Sequence, residues 1–191
     1  MTTVTKDCLG ILFLNIQSIR NKSCELEGFL ADKLDKYSIL CFSEHWLRKS
    51  ECECLIVNNF QISSFSSRSE QGYGGSMILV QNHIECTEIC SVLHLSRKNV
   101  CELSAIQVSS LDIVIISLYR PPSGSFLEFL HVLQDLLSLS CVVNKNVIVG
   151  GDFNVSFLDN NGKRNDLCNL LLSFGLSRTC NFVTRKNNCI D

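Results

Sequence analysis

VIVGGDFN, residues 147–154, runs three apolar strand-forming residues into two glycines, then an aspartate and an asparagine separated by one phenylalanine. The apolar run reads as a buried strand. A buried strand has no structural need for a carboxylate at its end, where desolvation penalises the charge. Asp152 therefore points to chemistry, and the other apolar runs end in the same way.

"ILFL" ends in Asn15, "ILCFS" in Glu44 and "VIISL" in Tyr119, while "VIVGG" ends in Asp152 with Asn154 two residues on. Four strands thus each deliver a polar, chemically capable side chain at the C-terminal end. Ligands of α/β sheets commonly bind beyond the carboxyl ends of the strands. Two carboxylates, two carboxamides and a phenol suit Mg²⁺ or Mn²⁺, which take oxygen ligands and keep water positions open. A divalent ion beside a second carboxylate that orients water is equipment for phosphodiester hydrolysis. Singly, Asn15 or Tyr119 reads equally as a cap or a satisfied core residue, and Glu44 as a helix-start acid. Their joint occurrence carries the functional reading.

Around these ends the pattern alternates sheet and helix. Residues 10–16, 37–44, 74–81 and 146–151 read as strands, and 101–108 with 112–119 as a hairpin about Ser109-Ser110-Leu111. Leu26, Phe29, Leu30 and Leu34 recur at helical spacing, with Ser23 placed to cap. A second helix begins near Phe126, with Ser125 and Glu128 in capping-box spacing and Leu130, Leu133 and Leu137 on one face. A third covers "NDLCNLLLSFG", closed by Gly175. Strands with interspersed helices and an antiparallel pair predict a layered α/β or α+β sandwich.

The 191 residues suit one domain, and 46% hydrophobic against 19% charged residues describes a globular chain. Seventeen Lys and Arg against 19 Asp and Glu give a net charge of −2. That excludes a protein that coats nucleic acid by charge alone, though not an enzyme touching a backbone through a bound cation. The twelve cysteines include no CxxC pair, so free thiols are expected rather than zinc ligands. The polar start "MTTVTKD" lacks a signal-peptide layout, and no run approaches a membrane span of about 18 apolar residues. An intracellular, unsecreted chain in nucleus or cytoplasm, without membrane association, is expected. The glycine-rich "QGYGGS" lacks the Gly-Lys-Ser/Thr ending of a phosphate loop and reads as a tight turn.

"NIQSIRNK…ELEGFL", "ILCFSEHWL", "GYGGSMI", "LYRPPSG" and "VIVGGDFN", in that order, resemble the endonuclease/exonuclease/phosphatase superfamily. Within it they resemble the apurinic-type endonuclease domain of non-LTR (LINE-type) retrotransposons, with "YRPP" favouring that branch. The resemblance runs from about Leu12 to the last residue. It implies a four-layer, DNase I-like sandwich of two packed mixed β-sheets flanked by helices, with residues 1–191 as a single domain. It further implies a Mg²⁺- or Mn²⁺-dependent endonuclease that nicks DNA, upstream of a reverse-transcriptase domain. Glu44 would hold the metal with Asn15 beside it, and Asp152 would orient or deprotonate the attacking water. Asn154 would steady the phosphate or that water, and Tyr119 would hydrogen-bond the phosphate. Arg120 would reach the DNA backbone, though a lone arginine reads equally as a surface residue. Thr184 matches a threonine near the scissile strand, and Asp191 an aspartate that orients a catalytic histidine.

In that family the domain continues through closing strands to a Ser-Asp-His motif, whereas this sequence stops at Asp191. A domain incomplete at its C-terminus, with impaired turnover, is the expectation. His45 should point away from Glu44, and His83, His94 and His131 read as surface or packing residues. A catalytically inactive retroelement remnant and a repair-type apurinic endonuclease or phosphatase stand as alternatives.

Overall fold

The computed structural model describes residues 9–68, 73–157 and 161–179. The first half comprises β1 (Ile11–Asn15), α1 (Ser23–Ala31), β2 (Ile39–Ser43), α2 (Lys49–Cys54), β3 (Phe60–Ser66) and β4 (Ser76–Gln81). Its strands form one sheet in the order β1-β2-β4-β3. The second half comprises β5 (Thr87–Glu88), α3 (Cys90–Leu93), β6 (Glu102–Val108), β7 (Ile113–Tyr119), α4 (Phe126–Leu137), β8 (Asn146–Asp152) and α5 (Gly162–Ser173). Its sheet has the order β5-β6-β7-β8. β1 and β2 run parallel, as do β7 and β8, and all other pairs are antiparallel. Each parallel pair is joined through a helix, α1 or α4, as a parallel crossover requires.

Period-two alternation builds the layers. Ile39 and Cys41 of β2, with Ile78 and Val80 of β4, face inward and meet Ile106, Val108 and Ile115 of the other sheet. The intervening residues Leu40, Phe42, Met77 and Leu79 face outward onto Leu26 and Leu30 of α1. On the other flank Leu103, Ala105, Val114, Ile116 and Leu118 pack against Phe129, Val132, Leu133 and Leu136 of α4 and Leu167 of α5. The order of layers is helix, sheet, sheet, helix. Central strands buried on both faces read in sequence as unbroken apolar runs, which is why 39–43 and 113–119 were visible.

The hairpin forms as expected, with Ser109–Leu111 in a short 3-10 turn and Asp112 left-handed at φ 50°. Ser125 caps α4 by accepting from the Glu128 amide at 3.3 Å. Gly175, at φ 73°, follows α5, and the Leu176 amide returns to the Leu171 carbonyl. Ser23 does not cap α1: Lys22 holds that position and Ser23 is the first helical residue. The helix stops at Ala31, so Leu34 lies beyond it. α2 and β3 were not predicted. Asn161, which accepts from the Arg164 amide at 2.9 Å, starts α5 three residues before the predicted segment. The nine described cysteines are free thiols, and no helix among the described residues is long and apolar enough to cross a membrane.

Candidate active site

The same alternation that fills the core fixes the direction of the strand-end side chains. In β7 the inward row runs Ile113, Ile115, Ser117, Tyr119, and in β8 its partners are Asn146, Ile148, Gly150 and Asp152. β6 brings Glu102 opposite Tyr119. In β1 the row containing Ile11 and Phe13 ends in Asn15. Asn15, Tyr119, Glu102 and Asp152 therefore enter the space between the sheets at one end. Gly150 allows the approach, because a Cβ there would lie 2.6 Å from the Phe13 ring. Gly151 has φ 124°, and a Cβ would lie 2.1 Å from the Leu118 carbonyl oxygen. The two glycines of the opening motif thus seat Asp152 against the opposite sheet.

Asn15 Nδ2 donates to Glu44 Oε1 at 2.7 Å and to Asp152 Oδ2 at 2.6 Å. One carboxamide therefore joins the two acids across the sheet interface. Glu44 follows β2, where alternation would turn it outward. Its left-handed backbone, φ 57°, breaks the alternation and brings it to Asn15. Trp46 is also left-handed, φ 58°, and its Nε1 donates to Glu44 Oε2 at 3.1 Å. The segment is pinned from both sides. Glu44 and Trp46 amides donate to the Gly75 and Gly74 carbonyls at 2.8 and 3.0 Å, and the Ser18 amide donates to the Glu44 carbonyl at 2.9 Å. Strain of this kind persists where surroundings over-determine it, and such places cluster at functional sites.

Tyr119 is buried between the sheets. Burial, then the negative charges of Glu44, Glu102 and Asp152, push its phenol well above the ordinary tyrosine value. It stays protonated and can donate a hydrogen bond. Glu102 was missed in the sequence. It is 4% exposed, receives Arg68 Nε at 2.5 Å and accepts from the Gly75 amide. Burial raises its carboxyl above the usual range, against the opposing pull of Gly75 and Arg68. An acid beginning the apolar run "ELSAIQV" was the available signal, as was Trp46 two residues after Glu44.

The expectation that Arg120 reaches a DNA backbone, or lies on the surface, is corrected. Alternation opposes Arg120 to Tyr119, so it turns outward beneath α4, where it is 2% exposed. Its guanidinium lies 5.8 Å from the Phe126 and Phe129 ring centroids. Burial lowers its pKa, while the nearby Asp152 carboxylate works in the other direction. Asn154, at φ 49°, donates from Nδ2 to the Arg120 carbonyl at 2.8 Å, and its amide donates to Asp152 Oδ1 at 2.9 Å. As placed, it holds the loop that carries Asp152. Thr184 and Asp191 lie outside the described residues. His45 does turn away from Glu44: it is fully buried, bonded to the Ser66 carbonyl and the Leu47 amide at 3.0 Å each. Burial lowers its pKa to about 4.

Solved structures share this architecture. The endonuclease domain of TRAS1, a telomere-specific non-LTR retrotransposon, superposes with a TM-score of 0.65 at 18% identity, over 88% of this chain and 71% of that one. The chain has the DNase I-like endonuclease/exonuclease/phosphatase fold. An AP endonuclease from Archaeoglobus fulgidus shares that fold at TM-score 0.63 and 17% identity, over 87% of this chain and 71% of its own. The 3′ phosphatase NExo from Neisseria, bound to a product DNA hairpin, does so at 0.60 and 15%, over 87% and 71%. No protein-family model matches the chain, and no curated protein matches it by sequence.

At this end of the fold the residues fit a hard divalent cation. Among the described residues no three His, Cys, Asp or Glu side chains gather as a protein-only metal cage. Two carboxylates sharing one neutral amide repel each other, which a divalent cation would relieve. Asn15 Oδ1 is buried and accepts no hydrogen bond among the described residues, and an orphaned oxygen in a native interior suits a cation as its partner. Few protein ligands and open water positions are the habit of Mg²⁺.

Proposed function

We propose that the chain is a metal-dependent phosphodiesterase domain that nicks DNA. The carrying observation is Asn15, whose single carboxamide holds Glu44 and Asp152 together between the sheet ends. Glu44, with Asn15 beside it, would hold Mg²⁺ or Mn²⁺. When bound, the ion supplies positive charge for phosphate oxygens. Asp152, held by Asn15 and the Asn154 amide, would take a proton from an attacking water. Tyr119, kept protonated, donates toward charge that grows on phosphate. Asn154 sets the loop, its carboxamide donating to the Arg120 carbonyl, and in this reading would steady the phosphate or the water. The DNA substrate and the retrotransposon-type setting are supported by the shared fold with the TRAS1 endonuclease domain and by the "YRPP" and "GGDFN" motifs. Residues 1–191 form one domain in this reading.

Turnover is expected to be weak. His45 is packed beneath the Glu44 segment, and His83 follows β4 at the end of the sheet away from Ser76. His94 caps α3, and His131 lies on the exposed face of α4. In this reading none of the four shares the phosphate's charge. Incubation of the chain with supercoiled plasmid and Mg²⁺ or Mn²⁺ should give slow nicking that EDTA stops. Asp152→Ala should lower the rate by roughly 10²–10⁴-fold, the ordinary contribution of a positioned base. Nicking that survives Asp152→Ala unchanged would overturn the reading. Oligonucleotides carrying an abasic site or a 3′ phosphate, run in parallel, separate the repair-type alternative.

A further inference from the structure

Arg120 presents five N–H donors inside the protein, and the described contacts direct four of them to backbone carbonyls. Nε donates to Phe153 O at 2.6 Å and Nη2 to Asn154 O at 2.7 Å. Nη1 donates to Pro121 O at 3.2 Å and Gly124 O at 3.4 Å. The main chain closes the same junction, with the Arg120 amide donating to Asp152 O at 2.9 Å and Asn154 Nδ2 returning to Arg120 O. The loop after β7 and the loop after β8 are thus fastened by the Arg120 guanidinium, with one backbone bond and the Asn154 carboxamide beside it.

We infer that Arg120 is a positioning residue, whose guanidinium clamps the Asp152-Phe153-Asn154 loop to the Pro121–Gly124 turn and so fixes where Asp152 stands. The inference rests on the proposed role of Asp152. Geometry separates it from a simple charge effect. The planar fork reaches carbonyls on two loops at once, which a lysine ammonium, a compact point donor, cannot reproduce. The carbonyls also leave the guanidinium no face toward a phosphate, since the residue is 2% exposed under the α4 aromatics. Asn154 is left-handed within the clamped segment, so the clamp opposes a backbone that would relax without it.

The first measurement uses the unmodified chain. The Arg120 Nε–H resonance should exchange slowly and should not move when a duplex oligonucleotide is added; a shift on DNA binding would overturn the inference. The second compares Arg120→Lys with Arg120→Met by amide hydrogen exchange. Arg120 and Asn154 amides should lose protection in both variants while Ile115 and Ile116 in β7 keep theirs. Unchanged protection at Asn154 would overturn it. In nicking assays both variants should lose roughly 10- to 100-fold in kcat, the scale of a slightly misplaced reacting group, with KM and the salt dependence of DNA binding unchanged. Recovery by lysine would mean that charge alone suffices, and a salt slope shallower by about one would mean a phosphate contact; either result defeats the clamp. If the unmodified chain fails to nick, the hydrolase reading falls, and the resonance and exchange results still decide the clamp.

Discussion

Gly150 shows how much of the site depends on a missing atom. Asp152 meets Asn15 because β8 lies close to β1, and that closeness exists because Gly150 leaves room for the Phe13 ring. Gly150→Ala should cost about 1–3 kcal/mol in urea unfolding, the usual cost of overpacking, and should lengthen the Asn15–Asp152 contact. A stability equal to the parent's would mean that Phe13 moves aside freely. The proposed metal role of Glu44 is tested separately. Loss of a group that merely orients a metal ligand costs about 10–100-fold in affinity, so Glu44→Ala should weaken Mn²⁺ binding at least that far. Titration followed by electron paramagnetic resonance of free Mn²⁺ reads this directly, and equal binding by both proteins would remove Glu44 from the metal role.

Among elements, α4 covers the outer face of the second sheet, and its two sides should respond differently. Leu133 is buried among Val114, Ile116 and Leu118, whereas His131 is exposed. Leu133→Ala should cost about 2–5 kcal/mol and His131→Ala no more than about 0.5, both from denaturant midpoints. A shared small effect would show that α4 does not seal that core. α4, β2 and β7 were legible because their apolar residues are dense and their period unambiguous. β3 was not, because "FQISSFS" carries serines inward: Ser64 is buried and accepts the Ala105 amide at 3.1 Å. α1 was overextended because Leu34 keeps helical spacing after the backbone has left the helix. The convergence of Asn15, Glu44, Tyr119 and Asp152 was legible from strand ends. The interior place of Arg120 was readable only by extending alternation one residue past Tyr119, which sends consecutive side chains to opposite faces. Glu102 escaped notice because an acid that opens a strand reads as an edge residue until its register with Tyr119 is known.

At the scale of the whole molecule, β1 and β8 are edge strands, as β3 and β5 are at the other sides of the same two sheets. Among the described residues β1 pairs only with β2, and β8 only with β7. Leu14 and Ile148, on these outer strands, are 40% and 37% exposed. Unpaired backbone flanked by apolar side chains is a template for strand addition by another copy. A net charge of only −2 supplies little mutual repulsion to prevent it. The chain should therefore associate with rising concentration, through these strands rather than through the helical faces. Replacing both Leu14 and Ile148 by lysine places charge on each edge, a standard protection of exposed strands. Because both side chains are already partly in water, the double variant should keep its denaturant midpoint within about 1 kcal/mol of the parent. Light scattering across a concentration series should show association suppressed in the variant at matched ionic strength. Equal association in both proteins would place the contact elsewhere. A large fall in stability would show instead that Leu14 and Ile148 carry more of the sheet packing than their exposure indicates.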